Sequence, residues 1–186
     1  MSALSPYFPM RQFVLISGCS GGGKSALIAE LGRLGHVTVE EPGRRVVAEE
    51  LKAGGRALPW IDMAAFAHQA FEMSEADLQS VSHHSGIVFF DRGLPDAAVA
   101  LQHAAGISLS QNMNKLKACA DQVFMAPPWP EIYQTDSVRQ HSLAEATDEF
   151  KRLEIAFRFL RYDIQMLPKA SIKQRARFVI EKLSSQ

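Results

Sequence analysis

The sequence predicts an α/β fold with a parallel sheet, on two observations. Five short apolar runs alternate with stretches of helical periodicity, and the first run enters a helical pattern through a cluster of glycines. Parallel neighbours need crossover connections, and helices used as crossovers cover both faces of the sheet, which gives three layers.

The runs are QFVLIS (12–17), HVTVE (36–40), GIVFFD (86–91), DQVFMA (121–126) and YDIQML (162–167), each expected as a buried strand. Leu27, Leu31 and Leu34 mark the first helix, and a second is expected from near Arg44 to a close at Gly54 and Gly55. Met63, Ala67, Ala70, Ser74, Leu78 and Val81 mark a third, and Pro95 with Asp96 read as the start of another. Two more carry Phe150, Leu153, Phe157 and Leu160, then Ile172, Ala176, Val179 and Leu183. Prolines in APPWPEIYQTDS, from Ala126 to Ser137, interrupt the alternation, and residues 126–142 are expected to form a lid. Residues 1–10 read as a frayed leader, and residues 1–186 as one domain.

Composition narrows the classes. Of the 186 residues, 47% are hydrophobic and 22% charged, the balance of an ordinary soluble domain. Twenty basic residues match twenty acidic ones, so no global field draws the chain to nucleic acid or to anionic lipid. No apolar run has the length of a membrane span, and the N-terminus lacks the pattern of a signal peptide. Cys19 and Cys119 match no zinc spacing or disulfide framework, and a cytoplasmic location is expected. A homodimer is among the assemblies left open.

Within the glycine-rich segment, Gly18, Gly23, Lys24 and Ser25 fit the phosphate-binding loop pattern G-x-x-x-x-G-K-[ST]. A loop that wraps a polyphosphate must turn successive backbone N–H groups inward through dihedrals closed to residues with a Cβ, and Gly21 and Gly22 add to that freedom. Residues Gly18, Cys19, Ser20, Gly21, Gly22, Gly23, Lys24 and Ser25 are therefore expected to bind the nucleotide. Lys24 supplies a point charge for the outer phosphates, and the Ser25 hydroxyl is placed to ligate Mg2+. Cys19 reads as a small filler within the loop rather than a redox thiol.

Three further segments could complete a site. The run IVFFDRG ends in Asp91, placed as the acidic magnesium partner of such a loop, although capping of the next helix is a rival role. VEEPGRR sets Glu40, Glu41, Arg44 and Arg45 at the C-terminal end of the second strand, the edge that faces the ligand crevice in open α/β sheets. A carboxylate there could act as base on an acceptor hydroxyl and the arginines could hold an anionic acceptor, against the plainer reading of a solvated helix start. Arg139 ends the proline-bounded segment, and a lid arginine on a transferred phosphoryl group is worth about 10³ to 10⁵ in rate. His83 and His84 read as poor joint metal ligands, Phe150 and Phe157 as core, and Lys173 and Arg177 as solvated.

Taken together, GCSGGGKS, VEEPGRR, FFDRGLPD, PPWPEIYQTDSVR and MLPKASIKQRARFVIEKL resemble the P-loop AAA-type family of predicted ATPases and kinases that includes the ribosylnicotinamide kinase domain of NadR. The order of parts is also similar to thymidylate and deoxyribonucleoside kinases, whose acidic E-P and D-R pairs correspond to Glu41-Pro42 and Asp91-Arg92. The resemblance covers nearly the whole chain and implies a P-loop NTPase fold with sheet order 2-3-1-4-5 and phosphoryl transfer from ATP or GTP. It implies Glu41 or Asp91 as the acceptor's base, Arg92 as orienting the acceptor, Arg139 as the lid arginine, and Leu167 to Ser171 as bordering the nucleotide base. The single lid arginine and Arg44 both depart from the nucleoside kinase pattern, so the resemblance names no acceptor.

Two readings follow. The first is a magnesium-dependent kinase acting on a small acceptor such as a nucleoside or nucleotide. The second is an NTP-hydrolysing switch that signals to a protein partner through changes of shape.

Overall fold

A computed structural model describes residues 12–117, 119–120, 122–133 and 142–185; the expected leader lies outside them. The first apolar run forms β1 (Gln12–Gly18), which lies between β3 (Ile87–Asp91) and β4 (Gln122–Ala126). β2 (Val37–Val39) pairs with β3 and β5 (Asp163–Met166) with β4, so the sheet runs β2-β3-β1-β4-β5 with every pair parallel.

Successive residues of a strand face opposite sides, and both sides here are covered. Val14 and Ile16 face one way and pack with Leu27, Ile28 and Leu31 of α1 (Lys24–Arg33) and with Ala176 and Val179 of α7 (Ile172–Ser184). Leu15 faces the other way and packs with Leu94 and Ala98 of α4 (Leu94–Ala105) and with Leu153 and Phe157 of α6 (Leu143–Phe159). Phe150 and Phe157 belong to this core, as expected. α2 (Pro42–Ala53) and α3 (Met63–Ser80) join α4 through Val46, Ala70 and Ala97.

Several boundaries differ from those expected. α2 begins at Pro42 rather than near Arg44, because a proline has no N–H to lose in the first helical turn and its ring sets the helical φ. It closes at Gly54, left-handed at φ 67°, whose N–H donates to the Glu50 carbonyl. A short α5 (Met113–Lys117), preceded by a 3₁₀ turn at Leu109–Asn112, has no repeating apolar pattern to announce it. β2 and β5 were expected to be buried but are partly exposed, with Val37 at 37% and Met166 at 41%, because each is an edge strand with a neighbour on one side only.

The sheet order positions the site. β1 and β3 are adjacent with Ile16 opposite Asp91, and the Arg92 N–H extends the ladder to the Ile16 carbonyl at 2.9 Å. The loop after β1 and the residues after β3 therefore emerge side by side at the C-terminal edge of the sheet.

Candidate active site

Residues Gly18 to Gly23 join the centre of the sheet to α1. Gly18 has φ 106°, and a Cβ there would run into the Ala126 backbone on the adjacent strand. Gly23, at φ 74°, is the N-cap that turns the chain into α1. Ser20, Gly21, Gly23, Lys24 and Ser25 line one end of a cavity of about 690 Å3. Lys24 Nζ spans the loop, donating to the carbonyls of Cys19 at 2.9 Å and Gly18 at 3.4 Å. Its burial, with Arg92 close by, lowers its pKa despite the acids around it. Cys19 is fully buried, its thiol on the carbonyls of Ser20 and Ala146, which suits the filler reading.

At the end of β3, Asp91 Oδ2 accepts a hydrogen bond of 2.8 Å from the Ser25 hydroxyl. Asp91 Oδ1 is buried and accepts none. Burial, and then the Glu41 charge, push the Asp91 pKa up, while Lys24 and the Ser25 bond hold it down. A buried acceptor with an unused oxygen beside a hydroxyl at a helix N-terminus fits a hard cation. Among the described residues, no cluster of three His, Cys, Asp or Glu side chains could hold a metal ion. Magnesium needs no such cluster, since it takes few protein ligands and completes its shell with phosphate oxygens and water.

Arg92 follows immediately, at φ 62°, a left-handed conformation that a bulky residue seldom adopts. That turn carries its guanidinium among three carboxylates: Glu149 at 3.0 Å, Glu41 at 3.3 Å and Asp96 at 3.4 Å. Burial opposes its charge, but Glu149, Glu41 and Asp96 outweigh burial and raise its pKa. Glu41 also accepts from Arg44 Nε at 3.0 Å. Burial works against the Glu41 carboxylate too, but Arg92, Lys24 and Arg44 together hold its pKa below the usual range. Asp96 lies deeper, accepting from the Ser17 hydroxyl and from Gly93 N–H, and burial pushes its pKa up to about 6.

The cavity continues from the loop past these charges to an apolar wall of Val47, Met63, Phe66 and Leu153. Lys24, Ser25, Glu41, Arg44 and Arg92 line it together, with Asp91 just behind Ser25. Glu40 is exposed and outside the lining, and Arg45 turns away to pair with Asp77 on α3. The structure thus separates Glu40 and Arg45 from the three acceptor-side neighbours it does bring together. Arg139 lies outside the described residues, as do residues 134–141 of the expected lid. The approach to that segment is described: the Tyr133 ring lies against Gly21, and Ile132 forms part of the cavity wall. Leu167 is buried with its N–H on the Met125 carbonyl at 2.9 Å, and Ser171 caps α7.

Sequence reasoning gave no site role to Asp96 or Glu149. Asp96 stands inside the DRGLPD segment and could have been weighed there. Glu149 lies on an amphipathic helix far along the chain and carries no local signal.

The family described as AAA domain matches residues 13–175, most of the chain and every cavity residue named above. The chain belongs to the AAA domain family. Among solved structures, this AAA domain is similar to deoxyadenosine kinase from M. mycoides with bound dATP, at TM-score 0.68 and 14% identity over 93% of this chain and 99% of that one. It is also similar to thymidylate kinase from Ehrlichia chaffeensis, at TM-score 0.60 and 15% identity over 94% and 100% of the two chains. Shikimate kinase from Acinetobacter baumannii in complex with shikimate gives TM-score 0.57 and 13% identity over 95% and 94%. At these identities the likeness lies in the fold, and the AAA domain shares the P-loop kinase fold, with the sheet order that the resemblance implied. No curated protein sequence matches the chain.

Proposed function

We propose that this chain is a magnesium-dependent P-loop kinase that moves the γ-phosphoryl group of ATP or GTP to a small acceptor such as a nucleoside or nucleotide. The observation that carries the reading is the continuity of the cavity. One volume of about 690 Å3 runs from the loop and Lys24, past Glu41 and Arg92, to an apolar wall. A switch that only hydrolyses NTP needs no second chamber of this kind; a two-substrate enzyme does.

In this reading the amides of residues 18–25 and Lys24 hold the phosphates, and Ser25 with Asp91 holds the metal. Bound magnesium would neutralise charge on the phosphates as it develops. Glu41, whose carboxyl Arg92, Lys24 and Arg44 hold below the usual range, lines the same cavity as Lys24 and the apolar wall, which suits it to orient an acceptor hydroxyl or take its proton; Asp91, turned toward Ser25, suits the metal better. Arg92 and Arg44 hold Glu41 in place and face the acceptor chamber. Arg139 remains the lid arginine of this proposal. The balanced charge, and two cysteines that match no disulfide framework, agree with a cytoplasmic site of action.

The test is acceptor-dependent release of ADP or GDP across a panel of nucleosides, nucleotides and small hydroxy acids. Stimulation by one class that is lost in Glu41→Gln and Arg92→Ala supports the kinase. Equal hydrolysis with and without every acceptor, unaffected by those substitutions, returns the chain to the switch reading.

A further inference from the structure

α7 carries a charge that the kinase reading does not use. Arg175 is 2% exposed, and Trp129 lies over it with the ring centroid 5.9 Å from Cζ. Nη1 donates to the Gly23 carbonyl at 3.4 Å, while Nε and Nη2 are buried with no hydrogen-bond partner. No ion pair among the described residues includes Arg175, and burial lowers its pKa. A guanidinium this deep, without a carboxylate and with two idle donors, is rare unless something else takes those donors.

Geometry indicates what that would be. Nε–H and Nη2–H leave a guanidinium side by side, forming the fork that receives two parallel acceptors. The guanidinium lies against the loop through Nη1: a Cβ on Gly23 would come within 2.8 Å of Nη1 and 3.4 Å of Ile132 Cδ1. Gly23 and Ile132 both line the cavity, so the guanidinium stands just behind the wall that the loop contributes.

We propose that Arg175 binds the donor nucleotide, its Nε and Nη2 donating to two parallel acceptors of that nucleotide while Trp129 gives way or stacks. This rests on the reading of the loop as a nucleoside triphosphate site. Two oxygens of one phosphate group present such a pair, and so do O6 and N7 of guanine. Adenine sets a donor beside its N7 and cannot fill the fork through its base.

The experiment is calorimetric titration of the intact chain with magnesium and ATP, GTP or inorganic triphosphate, on wild type, Arg175→Met, Arg175→Lys and Lys24→Ala. A second arm follows Trp129 emission during the titrations in a Trp60→Phe background. Arg175→Met is expected to weaken binding about tenfold or more, and Arg175→Lys, which lacks the fork, not to restore it. Equal losses for ATP and GTP identify a phosphate contact; a loss for GTP alone identifies the guanine edge. Trp129 emission is expected to change as nucleotide binds. Unchanged affinity for all three ligands in Arg175→Met, full rescue by lysine, or binding that leaves Trp129 emission unaltered overturns the proposal. If Arg175→Met does not fold, the emission arm decides. Wild-type binding that Lys24→Ala abolishes keeps the donor site standing even when the Arg175 arm fails, whereas a wild type that binds no triphosphate brings both down.

Discussion

Ser25, at the start of α1, and Asp91, at the end of β3, are joined by a 2.8 Å hydrogen bond that leaves one buried carboxylate oxygen of Asp91 without a partner. Their elements are far apart in sequence and meet because β1 and β3 are neighbours in the sheet.

That relationship predicts opposite effects on activity and stability. Asp91→Asn removes an acceptor suited to magnesium, and the metal concentration giving half-maximal turnover should rise about 10- to 100-fold. Burial and the Glu41 charge disfavour the ionised Asp91 in the free protein, so Asp91→Asn should leave the melting temperature unchanged or higher. Turnover against magnesium concentration, with thermal melts of the free protein, checks both.

Arg92 should behave in the reverse way. Its loss leaves Glu41, Asp96 and Glu149 facing one another without their shared cation. Arg92→Met is expected to destabilise the fold by about 3 to 5 kcal/mol and to abolish acceptor-dependent turnover. Urea unfolding gives the first quantity. Stability within 1 kcal/mol of wild type, roughly the scale of an exposed pair, would mean the arginine is not the cation those carboxylates need.

Asp96 sets a pH dependence. Its carboxyl, 3.8 in the absence of the fold, is raised to about 6 by burial in the folded chain, so the folded form binds the proton more tightly. The stability this contributes is fully present below pH 3.8 and is lost as pH rises through about 6. Asp96→Asn should remove that fall, on the order of 3 kcal/mol, from a plot of unfolding free energy against pH. A variant with the wild-type slope would assign the fall to another group.

Gly18→Ala tests the join between sheet and loop. At φ 106°, with the Ala126 backbone in the way, the new methyl group cannot be placed without moving β1 from β4. A loss of at least about 2 kcal/mol in urea unfolding is expected, together with weaker triphosphate binding. Gly35→Ala makes the control: its φ is 94° but its Cβ would meet nothing within 4 Å, so the strain comes without the clash and the loss should be smaller.

The parts that could be read in the sequence are those whose physics is local. The run before Gly18, the glycines and the pattern after Lys24 state a strand, a turn closed to side chains and a helix within a short stretch. Pro42 and Gly54 bracket α2 by dihedral preference, although the reading that starts the helix near Arg44 passes over Pro42. What could not be read depends on contacts made only by the folded chain. Whether Arg45 faces the crevice or Asp77 is decided by where α3 packs, and the burial of Arg175 against Gly23 joins residues 152 apart. Glu149 is one acid among many on α6 until the left-handed turn at Arg92 brings a guanidinium to it.

The most direct test of a donor cradle joined to an acceptor chamber follows the phosphoryl group itself. ATP or GTP labelled in the γ-phosphate is incubated with magnesium, the intact chain and each acceptor class in turn. The account predicts label on an acceptor with wild type and none with Lys24→Ala. Label recovered only as inorganic phosphate, at one rate whatever the acceptor, would contradict it.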